Sequence, residues 1–135
     1  MERVRTQILR SNADERGRTF ALGGSVDRFL PRVGDCHVMT LEPGFLRGNH
    51  AHRLRRELLL IQFEDAWSLH YDQGEQTPIE RREFEGSGAV WVEIDPGCAH
   101  AIRNDGESPL YLTALSDGPY DPNGPETYIR TVAEP

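Results

Sequence analysis

No stretch of this chain stays apolar for long. From Cys36 to Leu115, short runs that alternate polar and apolar residues are separated by turn signals: Glu42-Pro43-Gly44, Glu64-Asp65, Asp72-Gln73-Gly74-Glu75, Gly86-Ser87-Gly88, Asp95-Pro96-Gly97 and Asn104-Asp105-Gly106-Glu107. Alternation with period two belongs to strands with one face covered. Roughly ten such runs can be counted, and no amphipathic helix stands among them. Before Cys36, Val4–Leu9 and Arg18–Leu22 read as strands, Ser11–Gly17 as a polar turn, and Val26–Pro31 as a short turn or an edge strand. After Leu115 comes a loop rich in Asp, Pro and Gly, with a short closing strand within Glu126–Val132. The pattern predicts an all-β jelly-roll barrel. It spans residues 1–135 as one domain, with its core at about 36–115 and the flanks 1–35 and 116–135 part of the same unit.

Composition narrows the function. The net charge is −7 and no basic run occurs, which argues against nucleic acid as a partner. The chain has no Lys, so a Schiff base or a lysine general base is excluded; all 15 basic residues are Arg, which holds carboxylate or phosphate bidentately. Two cysteines, Cys36 and Cys98, are too few for a disulfide scaffold and read as partly buried thiols. Residues 1–14 carry both charge signs without an apolar core, and the longest apolar run, Leu58–Ile61, is too short for a bilayer. The expectation is a cytoplasmic protein with no membrane partner.

The chemistry concentrates in Gly44-Phe45-Leu46-Arg47-Gly48-Asn49-His50-Ala51-His52-Arg53-Leu54-Arg55-Arg56-Glu57. His50 and His52 share a face of one strand. If the chain turns back at Leu54–Arg56, Glu57 at the head of the next strand faces the same space. His100 is the fourth candidate; Cys98, two residues earlier, is a weaker one. Two or three imidazoles and a carboxylate suit a divalent Zn, Fe, Ni, Mn or Cu ion. Such a site leaves positions open for water or substrate.

These segments resemble the cupin superfamily. Gly44, His50, His52 and Glu57 fit the first cupin motif, with Glu64 in place of its last Gly; Gly97, His100 and Asn104 fit the second, with Asp95 where a Pro is expected. The resemblance implies one divalent transition metal per chain held by His50, His52, Glu57 and His100, and a homodimer. More narrowly, Arg47-Gly48-Asn49-His50-Ala51-His52 and the tail Ser116–Thr127 look like signatures of cupins acting on sugar nucleotides, with Glu126 where their tail has Asp. This resemblance implies an isomerase or epimerase working beside a keto group of a nucleotide-linked hexose, in polysaccharide or secondary-metabolite biosynthesis. Such chemistry needs a base and an enolate stabiliser. With metal bound, the base would be His70, Tyr71, Tyr111 or a carboxylate such as Glu93. Without it, His50 or His52 would be the base and Tyr111 or Tyr71 the acid. Arg47, Asn49 and Arg103 are the candidate substrate-binding residues. On a regular strand Arg47 faces away from the histidines, either binding phosphate at the barrel mouth or pairing with an acidic neighbour. Two other readings stay open: a metal-dependent small-molecule dioxygenase or lyase, and a non-catalytic ligand-binding or sensor cupin.

Overall fold

A computed structural model of the chain describes residues 2–21, 26–118 and 126–135. Its elements are β1 (Val4–Ile8), β2 (Arg10–Asp14), β3 (Gly17–Ala21), α1 (Val26–Phe29), β4 (Asp35–Leu41), β5 (Leu46–His52), β6 (Glu57–Phe63), β7 (Trp67–Tyr71), β8 (Glu80–Phe84), β9 (Gly88–Ile94), β10 (His100–Asn104), β11 (Leu110–Ser116) and β12 (Thr127–Ile129). One five-stranded sheet has the order β1-β9-β6-β11-β4 and faces a second in the order β12-β5-β10-β7-β8. Every strand pairing is antiparallel. Strands β4 to β11 pass back and forth between the sheets in the double Greek-key order of a jelly roll, which is the cupin barrel. The strands β1 and β12 lengthen one edge of each sheet.

The alternation of the sequence decides which side chains fill the barrel. Leu59, Ile61 and Phe63 of β6 meet Leu110 and Leu112 of β11, Val90, Val92 and Ile94 of β9, and Trp67, Leu69 and Tyr71 of β7 in one buried cluster. At one end, Phe63, Trp67 and Phe84 close the barrel, with the Trp67 and Phe84 rings stacked at 4.4 Å. A second cluster lies outside the first sheet. There Leu9, Phe29 and Leu30 cover Leu58, Ala89 and Trp91. Trp91 is therefore outward-facing, as its position in the alternation predicts, yet buried by the N-terminal segment. A third cluster places Val132 and Ala133 against Ala51, Ala99 and Ala101 on the outside of the second sheet.

Three local expectations need correction. Of Ser11–Gly17, expected as a turn, residues 11–14 belong to β2 and Gly17 opens β3, the two pairing in a separate hairpin. Residues 26–29 form a single helical turn. The cysteines differ from one another, Cys36 being exposed and Cys98 fully buried in the barrel core. The expected turn at Gly23-Gly24 and the part of the tail at 119–125 lie outside the described residues. Among the described residues, no helix is long and apolar enough to cross a membrane.

Candidate active site

Three strands deliver the predicted ligands to one point. His50 and His52 come from β5, Glu57 opens β6, and His100 opens β10 directly opposite His50. One ligand atom from each of the four lies within 4.8 Å of all the others. Ring centroids are 5.1 Å apart for His50 and His52, and 4.9 Å for His50 and His100. The Glu57 carboxylate spans two of the rings, with Oε2 at 3.2 Å from His52 Nε2 and Oε1 at 2.8 Å from His100 Nε2. Burial alone would raise the Glu57 pKa, but the hydrogen bonds to His100 and His52 bring it well below the usual range. The same contact with Glu57 raises His100 against the pull of burial. Burial, reinforced by the charge of a protonated His100, lowers His50 to about 4, so its ring is neutral near pH 7.

The donor set fits a divalent transition metal. His100 Nδ1 sits 3.2 Å from the Cys98 carbonyl oxygen; donating there leaves Nε2 as the ligand nitrogen. His52 Nδ1 sits 2.9 Å from Thr127 Oγ1, which fixes that ring in the same way. Cys98 is not part of the group. Its side chain packs into the core, where burial pushes its thiol pKa up.

The ligand strand is not regular, and this corrects the placement of Arg47. The register slips between His100–His50 and Ala101–Gly48, leaving Asn49 as the extra residue of a β-bulge. Asn49 has φ 59° and Gly48 φ 117°; a Cβ on Gly48 would stand 2.5 Å from the His100 carbonyl oxygen, so only glycine fits. The extra residue reverses the alternation upstream. Arg47 stands opposite Ile102, whose side chain enters the barrel, and so shares the inner face with His50 and His52. Its Nε donates to the Thr40 carbonyl at 3.1 Å, and no acidic partner for it is found among the described residues.

Several other candidates lie elsewhere. Asn49 is not in the cavity: its Oδ1 accepts from the Val132 and Ala133 amides at 2.9 and 3.0 Å, and its Nδ2 donates to the Ala133 carbonyl. It clamps the C-terminal segment to the back of the ligand strand. Arg103 faces outward and pairs with Asp105 at 2.7 Å. Tyr111 lies on the outer face of its sheet, 51% exposed. His70 also points away from the barrel interior, bonded to Ser68 Oγ at 2.9 Å, and burial lowers its pKa. Tyr71 does face inward, but it packs into the core, where burial raises its pKa. Glu93 is on the outside, paired with Arg5. None of these lines the cavity.

The family model for the polysaccharide biosynthesis C-terminal domain matches residues 12–128. The chain belongs to that family. No curated protein matches it. Solved structures do. The 3,4-ketoisomerase QdtA from Thermoanaerobacterium thermosaccharolyticum, in a variant complexed with TDP-4-keto-6-deoxyglucose, superimposes with a TM-score of 0.69 at 16% identity, over 95% of this chain and 88% of that one. The 3'-monoepimerase ChmJ from Streptomyces bikiniensis, a double mutant complexed with dTDP, gives 0.75 at 18% identity, over 95% and 69%. The capsular polysaccharide assembling protein CapF from Staphylococcus aureus gives 0.65 at 26% identity, over 92% of this chain; the chain spans 33% of CapF.

In this member of the polysaccharide biosynthesis C-terminal domain family, the cluster lies in a cavity of about 460 Å³ between the two sheets. Its walls include residues that the sequence reading did not assign to the site: Asp35 and His37 of β4, Ser116, Arg55 and Thr127. The tail motif explains part of this. The Glu126 carboxylate accepts from the Leu54 and Arg55 amides and from Arg55 Nε, and so ties down the turn between the ligand strand and Glu57. Thr127 then reaches His52. A second brace holds the turn before His100: Asp72 accepts from the Ala99 amide and pairs in bidentate fashion with Arg130, which also donates to the Gly97 carbonyl. The spacing Asp-x-His at 35–37 would have flagged the β4 pair, since period two puts both on one face.

Proposed function

We propose that His50, His52, Glu57 and His100 hold one divalent transition-metal ion, and that the cavity around them isomerises or epimerises a keto sugar carried on a nucleoside diphosphate. The observation that carries this reading is the combination in one cavity of a four-donor cluster and Arg47, turned inward by the bulge and lacking an acidic partner among the described residues. A guanidinium so placed suits a diphosphate. The sugar then extends inward past Met39, Leu59 and Ile102 toward the histidines. A bound ion would supply a Lewis acid that stabilises negative charge on a substrate oxygen. The chain's own residues hold the nucleotide at the mouth, orient the ring and exclude water from its inner side. The ligands named in the QdtA and ChmJ complexes, TDP-4-keto-6-deoxyglucose and dTDP, support the class of ligand, and membership of a polysaccharide-biosynthesis family supports the setting.

The test is elemental analysis of protein purified without an affinity tag, followed by turnover of TDP- and UDP-linked 4-keto sugars monitored by NMR. The expected result is close to one metal per chain, lost in His50→Ala, and formation of a 3-keto or epimerised sugar. Arg47→Ala should weaken nucleotide diphosphate binding by about 10- to 100-fold, the worth of a charged hydrogen bond, with metal content unchanged. A metal-free wild type that still turns over would move the base role to His50 or His52. Absence of both metal and turnover sinks the reading.

A further inference from the structure

We infer that Asp35 and His37, on the sheet facing the ligand strand, form the pair that carries the substrate's carbon-bound proton. The inference rests on the function proposed above and supplies its missing base. With His50, His52 and His100 committed to an ion, the remaining histidines are His37 and His70. His70 lies outside the barrel, bonded to Ser68. The tyrosines and the carboxylate offered by the sequence are turned outward or packed into the core. Apart from the cluster and two arginines, the titratable groups lining the cavity among the described residues are Asp35 and His37.

The geometry is that of an oriented base. The two residues sit at alternate positions of β4, on the inner face, opposite Ser116 and Ala114 of β11. Strand β11 joins them to β6, where Ser116 stands opposite Glu57 and Ala114 opposite Leu59. The pair and Glu57 therefore share one wall of the cavity, and His50, His52 and His100 stand on the facing sheet. Asp35 Oδ2 lies 2.7 Å from His37 Nε2, close enough for the carboxylate to accept an Nε2 proton and to orient the imidazole for proton exchange with substrate. The carboxylate steadies the imidazolium formed when that happens. The imidazole is 41% exposed and the carboxyl 22%, open enough for a ligand entering from the mouth.

For a 4-keto sugar the step balances without any co-reactant. His37 takes the proton from C3, and the C–H electron pair becomes the C3–C4 double bond as the carbonyl pair moves onto O4. The imidazolium returns that proton to C4 as the C3 carbonyl forms, and the O3 proton passes to O4 through solvent. The carbonyl has moved one carbon, and no electrons have left the substrate.

The experiment uses the metal-containing protein with TDP-4-keto-6-deoxyglucose in deuterated water, reading deuterium incorporation and carbonyl position by NMR. His37→Ala should lower kcat by at least about 100-fold, the usual worth of a positioned acid–base group, with metal content and KM close to wild type. Added imidazole should restore about tenfold of that loss, measured beside wild type in the same buffer. Asp35→Asn, which keeps the fold if His37→Ala does not, should lower kcat by a smaller factor. An active wild type with His37→Ala within about threefold of it overturns the pair while leaving the proposed function standing. A His37→Ala defect that appears in KM and ignores imidazole overturns it as well. A wild type that neither exchanges deuterium nor moves the carbonyl overturns the proposed function, and the pair's role with it.

Discussion

At one end of the barrel the two sheets meet through Phe63, Trp67 and Phe84; at the other, through His50, His52, His100 and Glu57. The same strands build both ends. Strand β6 begins at Glu57 and finishes at Phe63, and β10 begins at His100 and finishes at Asn104. At the aromatic end, burial of the rings is favourable and stacking adds a little more, offset in part by the buried Trp67 Nε1, which has no hydrogen-bond partner among the described residues. At the histidine end, burial is a cost that each polar group must offset with a partner. That is why the braces gather there: Asn49 on residues 132–133, Asp72 with Arg130, Glu126 on the turn after the ligand strand. The aromatic end stabilises the fold and needs no external support, whereas the polar end is held in place by segments from outside the barrel.

The largest effect that would break this contrast is expected at Trp67. Trp67→Ala should cost about 3–5 kcal/mol in urea denaturation, as for other buried aromatics, while the chains that remain folded bind metal as wild type does. Loss of the metal in folded chains would show that the ends are not separable. Next comes Gly48→Ala. The positive φ and the approach to the His100 carbonyl should cost about 1–3 kcal/mol, and here, unlike at Trp67, metal binding should fall with stability. Asn49→Ala removes three hydrogen bonds and leaves backbone groups of residues 132–133 unpaired. It should cost about 1–3 kcal/mol and weaken zinc by about 10- to 100-fold in a competition titration, as loss of a supporting contact commonly does. Unchanged zinc affinity would mean that the clamp serves the fold alone. The smallest effect is at Tyr111. Tyr111→Phe, on the outer face, should shift stability by no more than about 0.5 kcal/mol and leave kcat unaltered; a drop in kcat would return that phenol to the chemistry.

Period-two alternation made much of this legible. It put Leu110 and Leu112 inside and Tyr111 outside, so the exclusion of Tyr111 from the cavity was already written in the run it belongs to. It grouped His50 with His52, and the spacing to Glu57 and His100 supplied the rest of the cluster. Strand β2 was not legible because both its faces are largely exposed, which leaves no pattern to read. The helix at 26–29 is shorter than the periodicity that would reveal it. Tyr71 shows a different limit: inward direction can be read from alternation, but the packing partners cannot, and Tyr71, although level with His100 on the neighbouring strand, packs into the core. Alternation groups His37 with Met39 and Leu41 on one face of its strand, yet nothing local indicates that its neighbours across the sheet lead to Glu57.

The misread side of Arg47 came from one residue. Gly48 and Asn49 are the two types that most readily take positive φ, and side by side they were a warning against regular alternation. The bulge works as a change of phase: β5 addresses the cavity with odd-numbered residues before it and even-numbered ones after it. A single strand thereby reads two registers, presenting a guanidinium to the cavity in one and two imidazoles in the other. Deleting Asn49 would bring the two into step, swinging Leu46 inward and Arg47 out to solvent while the histidines kept their places.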